Sequence, residues 1–360
     1  MQNKIIFISG YDNTDKFVNG YIQLFNLFQN NNYEVALLKV DKIWKKEDFS
    51  NTKRGNIRIF FPLLKLKSFL FLKKYFTYLP KQENVHTLVF DSDPYTILIH
   101  EEIIDFYKPK IIIYRQSDPM ILIDKNGLVG KCELKLMKTS NQVWVANEVI
   151  KKKMLEYGLD NIYTLVNPIK LSSINTLVTH KKTTPYLVDK VLEAKKHYDN
   201  IGIYYGKFGI DFMLIDEISK RSDKTAFFII GEYSIPKNLN SNVFFIPYQS
   251  LEDIVTAAKL CSFFFIPYRV RGNLNDILHV TAKILIAKLL NKPVLAHGVS
   301  QSLNELNIFV GDSASYFIDK ISKINELSAP NIDLDYYSED NFLNTALTYI
   351  DKIKDKDLYV

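Results

Sequence analysis

Groups suited to binding a phosphorylated ligand are concentrated in the second half of this 360-residue chain. The Gly-flanked loop 206–209 follows a β-rich run, and from Gly206 onward it would present backbone N–H groups to a phosphate, with Lys207 adding a positive charge. Lys283 opens a helical stretch, where a cation is unfavourable unless an anion binds beside it. Three further candidates follow a very apolar run, where the arginines could meet a diphosphate: Tyr268, Arg269 and Arg271. Ligand-free turns and solvated side chains remain the alternatives.

The first half of the chain offers carboxylates at the ends of β-rich runs. Asp118 could accept a proton from a hydroxyl nucleophile, while Arg115 orients it or binds an anion; the alternative is a simple Asp-Pro turn. Asp91 and Asp93 could hold Mg²⁺ or Mn²⁺, or contact a substrate. We favour a helix cap for this pair, because Asp93 directly precedes Pro94 and proline is common in the first turn of a helix.

Other kinds of site find little support in the sequence. Gly10 and Tyr11 follow the first apolar run, and a glycine there would let the backbone approach a ligand, but the Gly-x-Gly-x-x-Gly pattern of dinucleotide binding is missing. No Ser/His/Asp or Cys/His arrangement is evident, and the six histidines lack zinc-binding spacing. Cys132 and Cys261 cannot form a disulfide framework, which indicates a reducing compartment. We therefore predict neither a metal nor another cofactor.

The net charge of +6 lies entirely in residues 1–168. Within them, segment 60–76 mixes lysine with phenylalanine and leucine and has no acidic residue. This composition fits either a surface that binds anionic lipid or a buried strand and helix whose lysines reach water. The lysines exclude a membrane-spanning helix, and the N-terminus lacks the features of a signal peptide. We expect a cytoplasmic protein, peripheral on the inner face of the cell membrane, that binds no nucleic acid.

Length and hydrophobic patterning predict two α/β domains. At about 100–200 residues per domain, the chain is too long for one ordinary core, and 47% hydrophobic with 24% charged residues is globular usage. β-rich runs alternate with helical stretches in two series, which predicts Rossmann-like domains over 1–168 and 200–336, joined by a connection at 169–199. A closing helix in 337–360 is expected to return to the first domain. The domains would face each other across a cleft, with ligands beyond the carboxyl ends of the strands.

An ordered series of motifs in the second half resembles nucleotide-sugar glycosyltransferases of the GT-B fold. The series runs through Gly206-Lys207, Ile229-Ile230-Gly231, Ile266-Pro267-Tyr268, Lys283 and Asn291-Lys292-Pro293-Val294. Each motif is degenerate, so their order and spacing carry the resemblance, which covers about residues 142–297. Within this fold the chain resembles the xanthan glucuronosyltransferase family, whose members are membrane-associated, inverting and independent of metal.

The resemblance implies transfer of a sugar from a UDP-sugar or similar nucleotide-sugar donor to a saccharide or lipid-linked acceptor, in surface polysaccharide or glycoconjugate synthesis. The catalytic Asp of the family corresponds to Asp118, and its donor-binding Lys to Lys283. The remaining donor-binding candidates are Gly206, Lys207, Tyr268, Arg269 and Arg271. The acceptor-binding candidates are Gly10, Tyr11, Asp93 and Arg115.

Three departures from the family pattern leave two other functions open. Ile286 stands where the family pattern has a Glu that binds the ribose. Asn291 and Pro247 each stand where the pattern has a Gly. The chain could therefore be a degenerate, non-catalytic protein that binds sugar nucleotides. It could also be a metal-dependent transferase that uses Asp91 and Asp93, which sensitivity to EDTA would reveal.

Overall fold

The computed structural model describes residues 4–10, 20–43, 57–60, 77–123, 126–169, 186–206, 209–234, 236, 239–270 and 274–357. The chain divides into two compact units: the first comprises Met1–Pro168 with Glu339–Val360, and the second comprises Ile169–Ser338. Three predicted site residues, Tyr11, Lys207 and Arg271, lie outside the described residues. So do residues 61–76 of the predicted membrane-binding segment 60–76.

The first unit is built on a sheet of eight described strands in the order β4-β3-β2-β1-β5-β6-β7-β8, parallel except between β3 and β4. The strands are β1 (Lys4–Ser9), β2 (Val35–Ile43), β3 (Ile57–Phe60), β4 (Thr77–Tyr78), β5 (Val85–Asp91), β6 (Ile111–Gln116), β7 (Gln142–Val145) and β8 (Ile162–Thr164). The helices are α1 (Gly20–Asn30), α2 (Pro94–Leu98), α3 (His100–Tyr107), α4 (Met120–Ile123), α5 (Leu128–Thr139) and α6 (Glu148–Leu155). Central strands such as β6 are buried on both faces, which explains their nearly continuous apolar sequence.

One face of this sheet is closed by a helix from the other end of the chain. Phe7 and Trp144 of the sheet share a buried cluster with Phe342, which belongs to the helix Glu339–Asp357. The carbonyl oxygen of Tyr349 in that helix accepts a hydrogen bond from Gln142 Nε2 at 2.6 Å. The predicted return of a C-terminal helix to the first domain is confirmed.

The second unit is built on a parallel sheet of six described strands in the order β11-β10-β9-β12-β13-β14. The strands are β9 (Asn200–Tyr205), β10 (Thr225–Ile230), β11 (Val243–Ile246), β12 (Phe263–Pro267), β13 (Val294–His297) and β14 (Ile308–Val310). The helices are α7 (Tyr186–Ala194), α8 (Phe212–Lys220), α9 (Leu251–Leu260), α10 (Ala282–Leu289) and α11 (Ala314–Ser322). The predicted α/β class with two Rossmann-like sheets is confirmed.

Both strand orders reverse at one point, and each reversal marks an expected ligand site. In the second unit the order reverses between β9 and β12, and in the first unit between β1 and β5. Crossover helices leave to opposite faces at such a point, so a crevice opens beyond the carboxyl ends of the two strands. Gly206 and Tyr268 follow β9 and β12, while Gly10 and Asp93 follow β1 and β5.

Part of the predicted connection 169–199 belongs instead to the core of the second unit. Helix α7 buries Leu187, Val188 and Val191 in the same cluster as the strands, and it packs against α9. These apolar residues recur at helical spacing, but charged residues between them conceal the short pattern. Residues 170–185 of that connection lie outside the described ranges.

Among the described helices, none has the length and apolar character that a membrane-crossing segment requires.

Candidate functional site

Two glycines at the carboxyl ends of β9 and β10 allow the backbone to pack closely. Gly206 has a φ of 149° and Gly231 a φ of 153°, a conformation that side chains rarely adopt. A Cβ built on Gly231 would lie 2.4 Å from the carbonyl oxygen of Gly206. The same carbonyl oxygen accepts a hydrogen bond from the Tyr233 hydroxyl. Backbone conformation therefore favours glycine at both positions, and close backbone packing adds to this requirement at Gly231.

Lys283 lies beside Gly206, in the first turn of α10. Its Nζ is 3.3 Å from the hydroxyl of Tyr268, which follows β12. A Cβ built on Gly206 would lie 3.2 Å from both Cε and Nζ of Lys283, so a side chain at that position would cover the ammonium. The structure thus brings together Gly206, Tyr268 and Lys283, three of the predicted donor-binding residues.

Among the described residues, no carboxylate neutralises the charge of Lys283. Within the part of the chain that the structure describes, the ion pairs do not include Lys283, and its neighbours are tyrosine rings. Burial raises the pKa of the Tyr204 and Tyr205 hydroxyls well above the usual tyrosine value, so both stay neutral at physiological pH. An unpaired cation at a helix N-terminus attracts an anionic ligand such as a phosphate.

A cavity of about 540 Å³ opens at the carboxyl ends of β10 and β11. Residues 231–234 and 245–247 line it, so it adjoins the backbone that carries Gly206. Its lining combines the aromatic rings of Tyr233 and Phe245 with the polar groups of Glu232 and Ser234. Small-molecule sites typically have volumes of about 300–1,000 Å³ and this mixture of apolar and polar groups.

Arg269 extends the site on the other side of the reversal point. The residue is exposed, and its backbone N–H donates to the carbonyl of Gly209 at 3.0 Å. This bond holds the segment after β12 against the end of the glycine loop. Lys207 and Arg271 belong to these two segments but lie outside the described residues.

In the first unit, Asp91 is a buried carboxylate at the end of β5. It is 2% exposed, and it accepts hydrogen bonds from Ser9 Oγ at 2.9 Å and from the backbone N–H of Ser92 at 2.7 Å. Burial raises the pKa of Asp91 to about 7, against the lowering effect of these two bonds. The carboxyl group is therefore partly protonated near neutral pH.

Asp91→Asn should stabilise the protein at alkaline pH. The raised pKa means that the folded state holds a proton between pH 4 and 7 that the unfolded state has lost, so stability falls as the pH rises through about 7. An amide is neutral throughout. We expect the variant to gain about 1–4 kcal/mol over the wild type at pH 8.5, with the gain shrinking toward pH 4. Urea unfolding at several pH values measures this.

The control for this series is Asp160→Asn, which makes the same chemical change at an exposed position of the first unit. It should leave the pH dependence unaltered. An Asp91→Asn variant that is destabilised equally at every pH would contradict the assignment of the titration to Asp91.

Asp118 is held in place through its backbone. Ser92 Oγ accepts hydrogen bonds from the N–H groups of Ser117 at 3.3 Å and Asp118 at 3.2 Å. The residue keeps an exposed surface, but the surrounding protein raises the pKa of its carboxyl group by desolvation, against the lowering charge of Arg115. An accessible carboxylate with a raised pKa is suited to accepting a proton.

Glu133 fixes the chain on the other side of Asp118, and the sequence analysis missed it. This wholly buried carboxylate accepts hydrogen bonds from the Tyr114 hydroxyl, from Gln116 Nε2 and from the backbone N–H of Ile121. Burial raises its pKa. Its position on the apolar face of α5, three residues before Leu136, is the sequence feature that could have revealed it.

Arg115, one of the predicted acceptor-binding residues, is bound to other parts of the first unit. Arg115 is fully buried, and it donates from Nη1 to the Trp144 carbonyl at 3.1 Å and from Nη2 to Asn167 Oδ1 at 2.6 Å. The guanidinium is therefore enclosed by protein, and its charge acts on the carboxyl group of Asp118. Burial lowers the pKa of Arg115 to about 10, so it remains charged.

The favoured capping role of Asp93 is confirmed. Its Oδ1 accepts hydrogen bonds from the N–H groups of Tyr95 at 3.0 Å and Thr96 at 3.2 Å, and Pro94 begins the helix. A Cβ built on Gly10 would lie 2.5 Å from Asp93 Oδ2, so Gly10 and Asp93 pack together at the reversal point. Across the described ranges, no set of three or more His, Cys, Asp or Glu side chains is arranged to hold a metal ion.

No family model matches the chain, and no curated protein matches its sequence. Solved structures do match over nearly its whole length. HepE of Anabaena in complex with UDP-glucose has a TM-score of 0.59 and 10% identity, over 99% of this chain and 100% of that chain. UDP-N-acetylglucosamine 2-epimerase of Rickettsia bellii has a TM-score of 0.58 and 12% identity, over 100% of both chains. The trehalose-6-phosphate phosphatase N-terminal domain of Candida albicans has a TM-score of 0.61 and 10% identity, over 99% and 97%.

The chain has a GT-B fold. This confirms the fold expected from the motif series. The three similar structures belong to proteins with different names and ligands, since one is bound to UDP-glucose, one is an epimerase and one is the N-terminal domain of a phosphatase. A fold accommodates many activities, so the activity of this GT-B chain must be argued from its own residues.

Proposed function

We propose that the protein is a glycosyltransferase that uses a nucleotide-sugar donor. The observation that carries the proposal is the ammonium of Lys283, which lies beside Gly206 at the strand-order reversal of the second unit and forms no ion pair with a described carboxylate. A diphosphate would supply the missing negative charge. The complex of HepE with UDP-glucose, and the named substrate of the epimerase, support a UDP-sugar as the donor.

The donor would bind with its diphosphate at Lys283. Because Gly206 has no side chain, the ammonium stays open to the ligand. As the bond between sugar and diphosphate breaks, negative charge develops on the departing nucleoside diphosphate, and Lys283 stabilises that charge. Arg269, with Lys207 and Arg271, would add positive charge from the two neighbouring segments. The adjoining cavity would receive the nucleoside part of the donor.

The acceptor hydroxyl would be activated by Asp118 in the first unit. Asp118 takes the hydroxyl proton as the acceptor oxygen forms its bond to the anomeric carbon, while the nucleoside diphosphate leaves. Gly10, Tyr11 and Asp93 would contact the acceptor near the reversal point, and Arg115 would act through its charge. We propose a saccharide or lipid-linked acceptor, in polysaccharide or glycoconjugate synthesis, and a hexosyl or glucuronosyl donor.

The proposal extends to where the protein acts and what it needs. A lipid-linked acceptor would be reached at the cytoplasmic face of the membrane, and the acid-free segment 60–76 has the composition to bind anionic lipid there. We propose that no metal ion is required, because Lys283 takes the role that a cation would have at the diphosphate.

A thermal-shift screen tests the donor site directly. Purified protein is melted with UDP, GDP, CMP or TDP, each with and without EDTA. A ligand that binds only the folded state, at about 100 times its Kd, adds about 2.7 kcal/mol and raises the melting temperature by several degrees. We expect one nucleoside diphosphate to produce this shift, and EDTA to leave it unchanged.

Uridine and inorganic phosphate serve as controls, because each carries only part of the ligand. A shift that disappears with EDTA would favour the metal-dependent alternative at Asp91 and Asp93. No shift with any nucleotide would contradict the proposed donor site. If a nucleotide binds, a second assay measures the release of UDP from a UDP-sugar with and without added acceptor. Release that requires the acceptor distinguishes sugar transfer from epimerisation and from binding without turnover.

A further inference from the structure

The ammonium of Lys283 lies close to the rings of three tyrosines. Its Nζ lies 5.1 Å from the ring centroid of Tyr205, 5.5 Å from that of Tyr204 and 5.8 Å from that of Tyr268. All three distances fall within the range of about 6 Å in which a cation is attracted to the face of an aromatic ring. The rings of Tyr204 and Tyr268 also meet edge to face, with centroids 6.1 Å apart.

The three tyrosine rings offset an unfavourable electrostatic position of Lys283. A lysine in the first turn of a helix faces the positive end of the helix dipole, and the described residues supply no carboxylate partner. A carboxylate would hold the side chain but would also neutralise it and repel a phosphate. Ring faces attract the ammonium without carrying a net charge.

The contact of Tyr205 with Lys283 is made by its ring and not by its hydroxyl. Tyr205 Oη is shielded from solvent and has no hydrogen-bond partner within the described ranges. Burial keeps the Tyr205 hydroxyl neutral, because it raises its pKa well above the usual value. Among the described residues, Tyr268 alone offers an oxygen to Lys283, at 3.3 Å, so these residues leave two of the three N–H groups of the ammonium for a ligand.

We propose that Tyr204, Tyr205 and Tyr268 are positioning residues whose ring faces hold Lys283 in place of a carboxylate, so that its full charge meets the diphosphate of the donor. The proposal rests on the proposed function and deepens it. It assigns the phosphate affinity of the site jointly to the lysine and to the aromatic faces behind it. Tyr205 is the best residue to test, because its ring is nearest and its hydroxyl bonds to nothing described.

The experiment compares Tyr205→Phe with Tyr205→Leu by isothermal titration with UDP. Tyr205→Phe keeps the ring face, so the Kd of this variant for UDP should stay within twofold of the wild-type value. Leucine removes the face, and we expect a Kd that is about 3–10 times weaker. Binding of uridine, followed by ligand-observed NMR, should be the same in both variants, because uridine has no phosphate for Lys283 to bind.

Tyr186→Leu is the matched control. Tyr186 is exposed on α7 of the same unit, and its ring also lies near a lysine, with Lys190 Nζ 5.6 Å from the centroid. Removing that pair should leave the Kd for UDP unchanged. Melting temperatures of all variants show whether each is folded, and Tyr205→Met replaces Tyr205→Leu if the leucine variant fails to fold.

The outcomes separate this proposal from the proposed function. The role of the ring faces is overturned if Tyr205→Leu binds UDP as tightly as the wild type. It is also overturned if Tyr205→Phe weakens UDP binding as much as Tyr205→Leu does. In both cases the proposed donor site stands. If Tyr205→Leu weakens the binding of uridine as well as of UDP, the ring of Tyr205 has a general structural role, and the proposed role of the ring faces is again overturned. A wild-type protein that binds no nucleoside diphosphate overturns the proposed function first, and this proposal with it.

Discussion

Replacing Lys283 with methionine should weaken UDP binding by about 10- to 100-fold. The substitution keeps an unbranched apolar side chain and removes the charge that lies near the tyrosine rings, together with its N–H groups. Hydrogen bonds to charged groups contribute about 1.5–3 kcal/mol, and 1.4 kcal/mol corresponds to a factor of ten in Kd. Isothermal titration of the variant and the wild type with UDP measures the difference. Turnover should fall as well, because the same charge stabilises the departing diphosphate.

Lys288→Met is the control for this prediction. Lys288 lies on the same helix, in its last turn, so the two variants share helix, residue type and net charge. Lys288→Met should bind UDP within twofold of the wild type. If both variants lose affinity equally, the effect comes from net charge and not from the position of Lys283. If neither does, Lys283 is not a donor-binding residue.

Asp118→Asn should abolish most of the transfer while leaving donor binding intact. General-base catalysis contributes about 10²- to 10⁴-fold, so kcat should fall by that factor. The backbone N–H groups that bind Ser92 Oγ are unchanged by the substitution, and the side chain keeps its size, so the loop should keep its shape. The Kd for UDP and the melting temperature should match the wild type.

The rate of the wild type should also fall as the pH drops below the raised pKa of Asp118, since the protonated carboxyl cannot accept a proton. Asp160→Asn, on the exposed surface of the same unit, should retain normal turnover and the same pH profile. Near-normal turnover of Asp118→Asn would remove Asp118 as the base and turn attention to the neighbouring Asp91.

Local patterns predicted the elements, because most strands of both units are short apolar runs buried by covering helices. β1 and β12 are examples in which nearly every side chain is buried. The same patterns predicted the turns that carry Gly206 and Lys283, since a glycine after a strand and a lysine in a first helical turn are visible in the sequence. They could not show that the two residues touch, because they are far apart in the chain.

The features that sequence analysis missed all depend on long-range packing. Tyr204 and Tyr205 end a buried strand and are indistinguishable from ordinary core aromatics until Lys283 is placed over them. In the sequence, Glu133 resembles a solvated helix residue. In the structure, the end of β6 and the segment after Asp118 donate hydrogen bonds to its carboxylate. Helix α7 resembles a connecting segment in the sequence because its charged residues conceal a short apolar face.

Two of the departures from the family pattern have different physical meanings. Asn291 has a φ of 51°, the left-handed conformation that asparagine tolerates best after glycine, so this replacement preserves the local backbone. Ile286 is 1% exposed and lies in the core of the second unit, so it provides no polar contact to a ribose. If a nucleotide binds, its ribose must be held by other groups, which Glu232 and Ser234 in the adjoining cavity could supply.

The helix Glu339–Asp357 gives the two units different positions in the order of folding during synthesis. The second unit is one continuous stretch, Ile169–Ser338, and can complete its core as soon as that stretch has left the ribosome. The first unit is translated earlier, and α1 can already pack against Phe7, yet the cluster that contains Phe7 and Trp144 lacks part of its apolar cover until Phe342 and Ile350 emerge. The unit that begins the chain is thus the last to be finished, and its nascent form exposes a hydrophobic surface throughout the synthesis of the second unit.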